Sequence, residues 1–403
     1  HHGRLGSERR RCEGEPRSPS CRQGCGAAGD RDATAGHEEG RGQEADGQDA
    51  CNEEGCNEDA CNEEGCKQEG GLQEQAGSQA IGGPETDVEE DGRQEDCGQE
   101  VGVSQPTIVE IDGHDVKLTN LDKVLYPSGF TKAEVIDYFV RVAPTATAHL
   151  AGRCITFRRF PDGADADGFF EKRCNRYRPE WVPVSLGPGD RSGGIEYCRV
   201  EDTATMAWAA NLAALELHAP MAPADDLETP RALVFDFDPG PETSVVECCQ
   251  VALATRVVLD TVGLAGWCKT SGSKGLQMYV PLNTPGVTHQ GAADFALAVG
   301  QVLERQLEGH VTTVMAKVER PGKIFVDWSQ NAIHKTTMAP YSLRARARPT
   351  ASTPVTWDEV QACADGEEPL VFEAPDVLDR IERLGDLFAP VLTLEQELPI
   401  LNR

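Results

Sequence analysis

Positive charge is scarce in this chain. Across 403 residues, 38 Lys and Arg face 67 Asp and Glu, a net charge of −29. That balance excludes a wholly basic coat for nucleic acid, although it leaves room for a local basic groove. Long apolar runs are absent too: no uncharged stretch approaches the ~18 residues needed to span a bilayer, so no membrane partner is expected. G-x-G-x-x-G does not follow a strand, which removes the dinucleotide-fold argument, and G-x-x-x-x-G-K-[ST] is missing, so there is no Walker A loop. Large apolar residues are few over residues 1–105, where 26 acids stand against 10 bases. Such a segment cannot bury enough surface to offset its ordering entropy, and we expect a disordered acidic tail there.

Cysteine, by contrast, is plentiful at 15 residues. Cys51, Cys56, Cys61 and Cys66 recur every five residues in a Glu-rich repeat. Four thiolates suit zinc, but C-x4-C without a turn or core is no finger pattern, and low complexity is the better reading. Cys248 and Cys249 lie in apolar helical sequence and read as small core residues. With no signal peptide in view, a reducing cytoplasm is the expected location.

Residues 106–403 carry the material for one folded domain. Ile108, Val109, Ile111 and Val116 bracket Asp112-Gly113 as a hairpin. Thr131-Lys-Ala-Glu134 is a capping box for a helix whose apolar face is Val135, Tyr138, Phe139 and Val142. A strand is expected over 152–160, a helix capped by Asp202, an extended Leu215–His218, and helices over 244–262 and 289–308. Strands and helices alternate irregularly, which favours an α+β fold with mixed sheets.

Three short pieces carry chemistry. Val234–Gly240 rises through an apolar run to Asp236 and Asp238 and stops at Pro-Gly. Side chains two apart on a strand share a face, so the two carboxylates sit side by side, expected at a solvated strand end. They repel each other unless a cation lies between them, and hard oxygen ligands suit Mg²⁺ or Mn²⁺. Asp327 ends a second apolar run and supplies a third carboxylate. In Ser271-Gly-Ser-Lys-Gly275, glycines let the backbone approach an anion and Lys274 offers charge for phosphate. Together these suit two-metal nucleotidyl transfer. Asp-x-Asp alone also fits a metal-dependent glycosyltransferase. Bases cluster around these motifs, at Arg158–Arg178, Lys317–Lys323 and Arg344–Arg348. Phe169 and Phe170, between a turn and a basic run, suit an aromatic wedge against bases.

From about Leu118 to Pro399 the chain resembles the polymerase domain of bacterial DNA ligase D, in the archaeo-eukaryotic primase superfamily. The match rests on Leu118-Thr-Asn-Leu-Asp-Lys-Val-Leu-Tyr-Pro127, Gly168-Phe-Phe-Glu-Lys172, Leu215-Glu-Leu-His218, Val234–Gly240, Thr270–Gly275, Val326-Asp327 and Tyr341-Ser-Leu-Arg344. Arg383-Leu-Gly-Asp-Leu-Phe-Ala-Pro390 fits as well.

The resemblance implies a primase-polymerase-like fold and two divalent ions, Mn²⁺ or Mg²⁺, on Asp236, Asp238 and Asp327. It implies that His218, Ser271, Lys274, Gln277, Arg320, Arg344 and Arg346 surround an incoming nucleotide. Asn120, Lys123 and Lys132 would grip a 5′-phosphate at a gap or DNA end, with Phe169, Phe170 and Lys172 at the DNA. Ribonucleoside triphosphates would be favoured, in non-homologous end joining with Ku and a DNA ligase expected on a separate chain. Gln277 is a departure, since the family carries His there to help hold the triphosphate. A catalytically weak end-binding module is the alternative that this exchange raises.

Overall fold

The computed structural model describes residues 105–189 and 193–399. The acidic tail and its cysteine repeat lie outside them.

Strands β1 (Thr107–Ile111) and β2 (His114–Leu118) form the hairpin, turning at Asp112 and Gly113, both with positive φ. Helix α1 (Lys132–Leu150) starts at Thr131, whose hydroxyl accepts from the Glu134 amide while the Glu134 carboxylate accepts from the Thr131 amide. Next come β3 (Thr156–Arg159), β4 (Phe169–Glu171), β5 (Val184–Gly187) and β6 (Ile195–Cys198), then α2 (Thr203–Asn211), capped by Asp202. Strands β7 (Ala214–Ala219) and β8 (Ala232–Pro239) lead into α3 (Val245–Thr261), with Ser244 and Glu247 forming its capping box. Strands β9 (Trp267–Thr270) and β10 (Leu276–Pro281) precede α4 (His289–Gln306), β11 (Val311–Thr312), β12 (Ile324–Asp327), β13 (Thr337–Met338) and β14 (Pro354–Val355). Helices α5 (Trp357–Ala364), α6 (Ala374–Leu384) and α7 (Ala389–Thr393) follow. The fold is α+β, with mixed sheets as the irregular alternation predicts.

Two sheets organise it. The larger has the order β11-β12-β8-β10-β9-β14, antiparallel except for the β11–β12 pair, and places β8 between β12 and β10. The smaller has the order β13-β7-β3-β4, leaving β4 at an edge. One apolar core joins α1 and α2 to the smaller sheet through residues such as Phe139, Phe157 and Leu217. The other joins α3 and α4 to the larger sheet through Phe235, Phe237, Ala252 and Phe295. On β8 the even positions face away from that second core. Period-2 alternation therefore sends Phe235 and Phe237 into apolar packing and Asp236 and Asp238 to the opposite face.

Cys248 and Cys249 are buried free thiols, as their setting predicts. Cys174 and Cys198 are bonded to each other, with Cα atoms 4.8 Å apart, and so depart from the reduced state that a cytoplasmic location predicts. Residues 24 apart in sequence meet because β6 returns alongside the segment after β4, where the Cys174 amide donates to the Glu196 carbonyl at 2.7 Å. Among the described residues no helix is long and apolar enough to cross a membrane.

Candidate active site

Asp236 does not stand at a solvated strand end. It lies within β8, 7% exposed, with Asp327 of β12 on one side and Gln277 of β10 on the other as its Cα register partners. A central strand position, flanked by paired strands, is what buries it. Asp327 is also buried, at 8%. Burial first, and then the facing Asp327, push the Asp236 carboxyl up to about 7. Desolvation and like-charge repulsion both disfavour its ionised form.

Asp327 also anchors a single-turn helix, Trp328–Asn331. Its Oδ1 accepts from the Ser329 amide at 2.9 Å and hydroxyl at 2.6 Å, and its Oδ2 from Gln330 Nε2 at 3.1 Å. Asp238 lies two residues beyond Asp236 on the same face, opposite Phe325, and is half-buried. Among the described residues no three His, Cys, Asp or Glu side chains stand together as a ready metal-holding group. The donor chemistry nevertheless fits a hard divalent ion, since oxygen ligands at a repelling carboxylate pair are what Mg²⁺ or Mn²⁺ requires.

A row of three side chains crosses the sheet at this point. Lys269 of β9, Gln277 of β10 and Asp236 of β8 are register neighbours. Lys269 Nζ donates to Gln277 Oε1 at 2.5 Å and to Ser352 Oγ at 2.8 Å, and Gln277 Nε2 donates to Asp236 Oδ2 at 2.9 Å. Lys269 is fully buried. Burial pushes its ammonium down to about 7 against the upward pull of Asp236. The structure thus brings Gln277 against the carboxylate. Lys269 and Ser352 escaped the sequence reading, and their only signal was a lysine in the apolar strand Trp267-Cys-Lys-Thr270.

The turn between β9 and β10 is built by its own residues. Ser271 Oγ accepts from the Ser273 and Gly275 amides at 3.2 and 3.1 Å. Gly272 has φ of +72°, and a Cβ there would lie 2.9 Å from backbone atoms of Ala351 and Ser352, so only glycine fits. Arg346 donates to Ser273 Oγ from Nε and Nη2 at 3.0 and 2.6 Å, while Lys274 points to solvent.

His218 and Arg344 meet at a residue whose role the sequence left unassigned, Glu216. It is 1% exposed, and its Oε2 lies 3.2 Å from His218 Nε2 and 3.4 Å from Arg158 Nη1. Its Oε1 accepts from the Ala345 amide at 3.2 Å and lies 3.7 Å from Arg344 Nε. Burial alone would raise the Glu216 carboxyl, but Arg344, His218 and Arg158 outweigh it and hold it down to about 2. Burial lowers the His218 imidazole below its ordinary value, more strongly than Glu216 raises it. Arg320 is buried over the Phe325 ring at 3.9 Å, on the strand that carries Asp327.

Phe169 and Phe170 occupy the edge strand β4, 45% and 40% exposed. As strand neighbours they point to opposite faces. Phe170 packs edge-on against His218 with centroids 5.5 Å apart and under Arg158 at 5.2 Å, whereas Phe169 lies under Arg159 at 5.3 Å. Lys172 follows at the surface. Lys132 is buried at the start of α1, and its Nζ lies 3.4 Å from Thr119 Oγ1. Burial first, then Lys123 and Arg159, push its ammonium down to about 8, which marks a concentration of positive charge. Asn120, at φ of +53°, is exposed, and Lys123 Nζ donates to the Pro161 carbonyl at 2.5 Å.

Comparison with known proteins decides the family. Residues 131–388 match the LigD primase-polymerase domain. The chain belongs to that family. It is 42% identical over 292 residues to the multifunctional non-homologous end joining protein LigD of Mycolicibacterium smegmatis, covering 72% of this chain and 37% of that protein. The bifunctional LigD of Bacillus subtilis is 29% identical over 286 residues, 71% of this chain and 45% of that one. The polymerase domain of Mycobacterium tuberculosis ligase D, solved in complex with DNA, superposes with a TM-score of 0.64 at 41% identity. That match covers 69% of this chain and 98% of the solved domain. The chain therefore spans less than half the length of these curated relatives. A LigD primase-polymerase domain is a metal-dependent nucleotidyltransferase domain of DNA repair, and membership sets aside the glycosyltransferase reading.

Proposed function

We propose that this domain extends a primer at a DNA gap or broken end by template-directed nucleotidyl transfer, favouring ribonucleoside triphosphates, in non-homologous end joining. The observation that carries this reading is the buried Asp236–Asp327 pair, with Asp238 on the same strand face and the Ser271–Gly275 turn adjoining on β10. The primer 3′-hydroxyl gives up its proton to solvent as its oxygen attacks the α-phosphorus, the bond from that phosphorus to the α–β bridging oxygen breaks, and pyrophosphate leaves. Asp236, Asp238 and Asp327 would hold two divalent ions, Mn²⁺ or Mg²⁺, which when bound favour the alkoxide and neutralise the triphosphate. Gln277, held by Lys269, fixes the Asp236 carboxylate from the second strand.

Lys274 supplies an exposed point charge for the triphosphate, Arg346 donates to Ser273 of the same turn, and the charge of Arg344 acts on Asp236 and Lys269. Glu216 holds His218 and Arg344 in place for the nucleotide. Lys123, Lys132 and Asn120 form the 5′-phosphate grip. The positive charge around Lys132 supports this role, because a phosphate would relieve it. Phe170, beside His218, stacks at the template, with Phe169 and Lys172 flanking it. Ku and a DNA ligase are the partners that fit this role. Primer extension on a 5′-phosphorylated gapped duplex with Mn²⁺ and either ribonucleotides or deoxyribonucleotides tests the reading. Incorporation that follows template sequence supports it. DNA-end binding without incorporation would leave an end-binding module in its place.

A further inference from the structure

One cavity of this domain has no part in the chemistry above. It measures about 310 Å³ and shares no lining residue with the candidate site. Ala232, the first residue of β8, lines it, whereas Asp236 and Asp238 come four and six residues later. At ~3.3 Å per strand residue, Ala232 lies roughly 13–20 Å along the strand from the two carboxylates, whereas Tyr279, on the nearer wall, has Lys269 over its ring at 5.4 Å.

The walls divide by chemistry. Met221, Tyr279, Phe388 and Val391 belong to one buried apolar cluster and make one side, with Phe388 set edge-on to the Tyr279 ring at 5.2 Å between centroids. Arg153 and Arg231 supply two guanidinium groups. Arg153 Nη1 donates to the Pro220 carbonyl at 2.7 Å, which fixes the group against the cavity. Neither arginine pairs with a carboxylate among the described residues. The nearby Asp386 is already engaged by His149 at 2.9 Å and the Tyr341 hydroxyl at 2.6 Å. Burial lowers the Arg153 guanidinium below its ordinary value, Tyr279 pulls it up, and the charge of Arg231 lowers it further. Two cations drawn together without a counter-charge cost free energy, and an incoming anion relieves that cost.

We propose that this cavity is a binding site for a small organic carboxylate with an apolar body, its acid on Arg153 and Arg231 and its body against Tyr279, Phe388 and Val391. The volume lies at the lower end of the range for small-molecule sites, which are apolar with a few convergent polar groups. Guanidinium suits carboxylate because its planar fork donates two parallel hydrogen bonds.

The test is calorimetric titration of the full chain with 2-naphthoate, without divalent metal, beside its neutral analogue 2-naphthamide. One naphthoate is expected per chain, with the amide at least tenfold weaker. Arg231→Met should weaken naphthoate at least tenfold and leave the amide nearly unchanged. Leu392→Trp, which fills the cavity from its half-buried rim, should weaken both, and it carries the test if the arginine variant fails to fold. Equal affinity for acid and amide overturns the proposal. So does the absence of saturable binding, or naphthoate binding that neither variant alters. Displacement by ATP would put the probe in the nucleotide cleft and overturn it equally.

Discussion

Replacing Gln277 by Leu tests the row that crosses the centre of the larger sheet. The amide is 4% exposed and makes two hydrogen bonds to ionisable groups, accepting from Lys269 Nζ and donating to Asp236 Oδ2. Hydrogen bonds to charged groups contribute about 1.5–3 kcal/mol each, so removing both costs about 3–6 kcal/mol. Burying the larger apolar side chain returns about 1–2 kcal/mol, which leaves a net loss of about 1–5 kcal/mol. Urea unfolding of metal-free protein reads this as a lower midpoint at unchanged slope. Without its amide donor the Asp236 carboxylate is also harder to ionise, so half-maximal nucleotide addition should require more Mn²⁺. Gln277→His gives the sharper comparison. A neutral imidazole accepts on one nitrogen and donates from the other, and can bridge Lys269 and Asp236 as the amide does. It should therefore unfold within about 1 kcal/mol of the parent and add nucleotides at least as fast. A Leu variant as stable as the parent, with the same Mn²⁺ requirement, would refute the reasoning, because the row would then hold nothing in place.

Asp236→Ala and Asp238→Ala should each abolish primer extension, and circular dichroism should show both folded, since each removes a carboxylate on the face away from the core; extension at parental rate by either variant would remove the metal reading. DNA-end affinity should fall by roughly one to two decades when the 5′-phosphate is absent or in Lys132→Ala, the cost of a charge-assisted contact of about 1.5–3 kcal/mol; equal binding of phosphorylated and unphosphorylated gapped duplex at one salt concentration would contradict this. Glu216, held near 2 against an ordinary 4.5 by Arg344, His218 and Arg158, contributes about 3 kcal/mol of stability that is fully present above pH 4.5 and lost as pH falls toward 2. Glu216→Gln should flatten stability over that acid range and raise the KM for nucleotide at neutral pH by moving His218 and Arg344, and a variant with the parental acid profile would exclude the carboxylate from this role.

The local order of the chain determined much of this molecule. Capping boxes at Thr131, Asp202 and Ser244 start helices where they stand, because the side chains that satisfy free amides are three residues away in sequence. Alternation along β8 put Asp236 and Asp238 on one face, since the strand period is two whatever lies alongside. Strand neighbours were a different matter. Nothing local says that β8 sits between β10 and β12, and that placement alone buries Asp236, sets it opposite Asp327 and links it through Gln277 to Lys269. Lys269 stands out only as a lysine in an apolar strand until the tertiary fold buries it, and Glu216 reads as one acid among many until Arg158, His218 and Arg344 converge on it. Cys174 and Cys198, 24 residues apart, likewise meet only through the path of the chain between β4 and β6. Short-range hydrogen bonding and side-chain period are written in consecutive residues. Burial, charge pairing and cross-strand contact depend on distant segments meeting, and the tertiary structure alone decides which ones do.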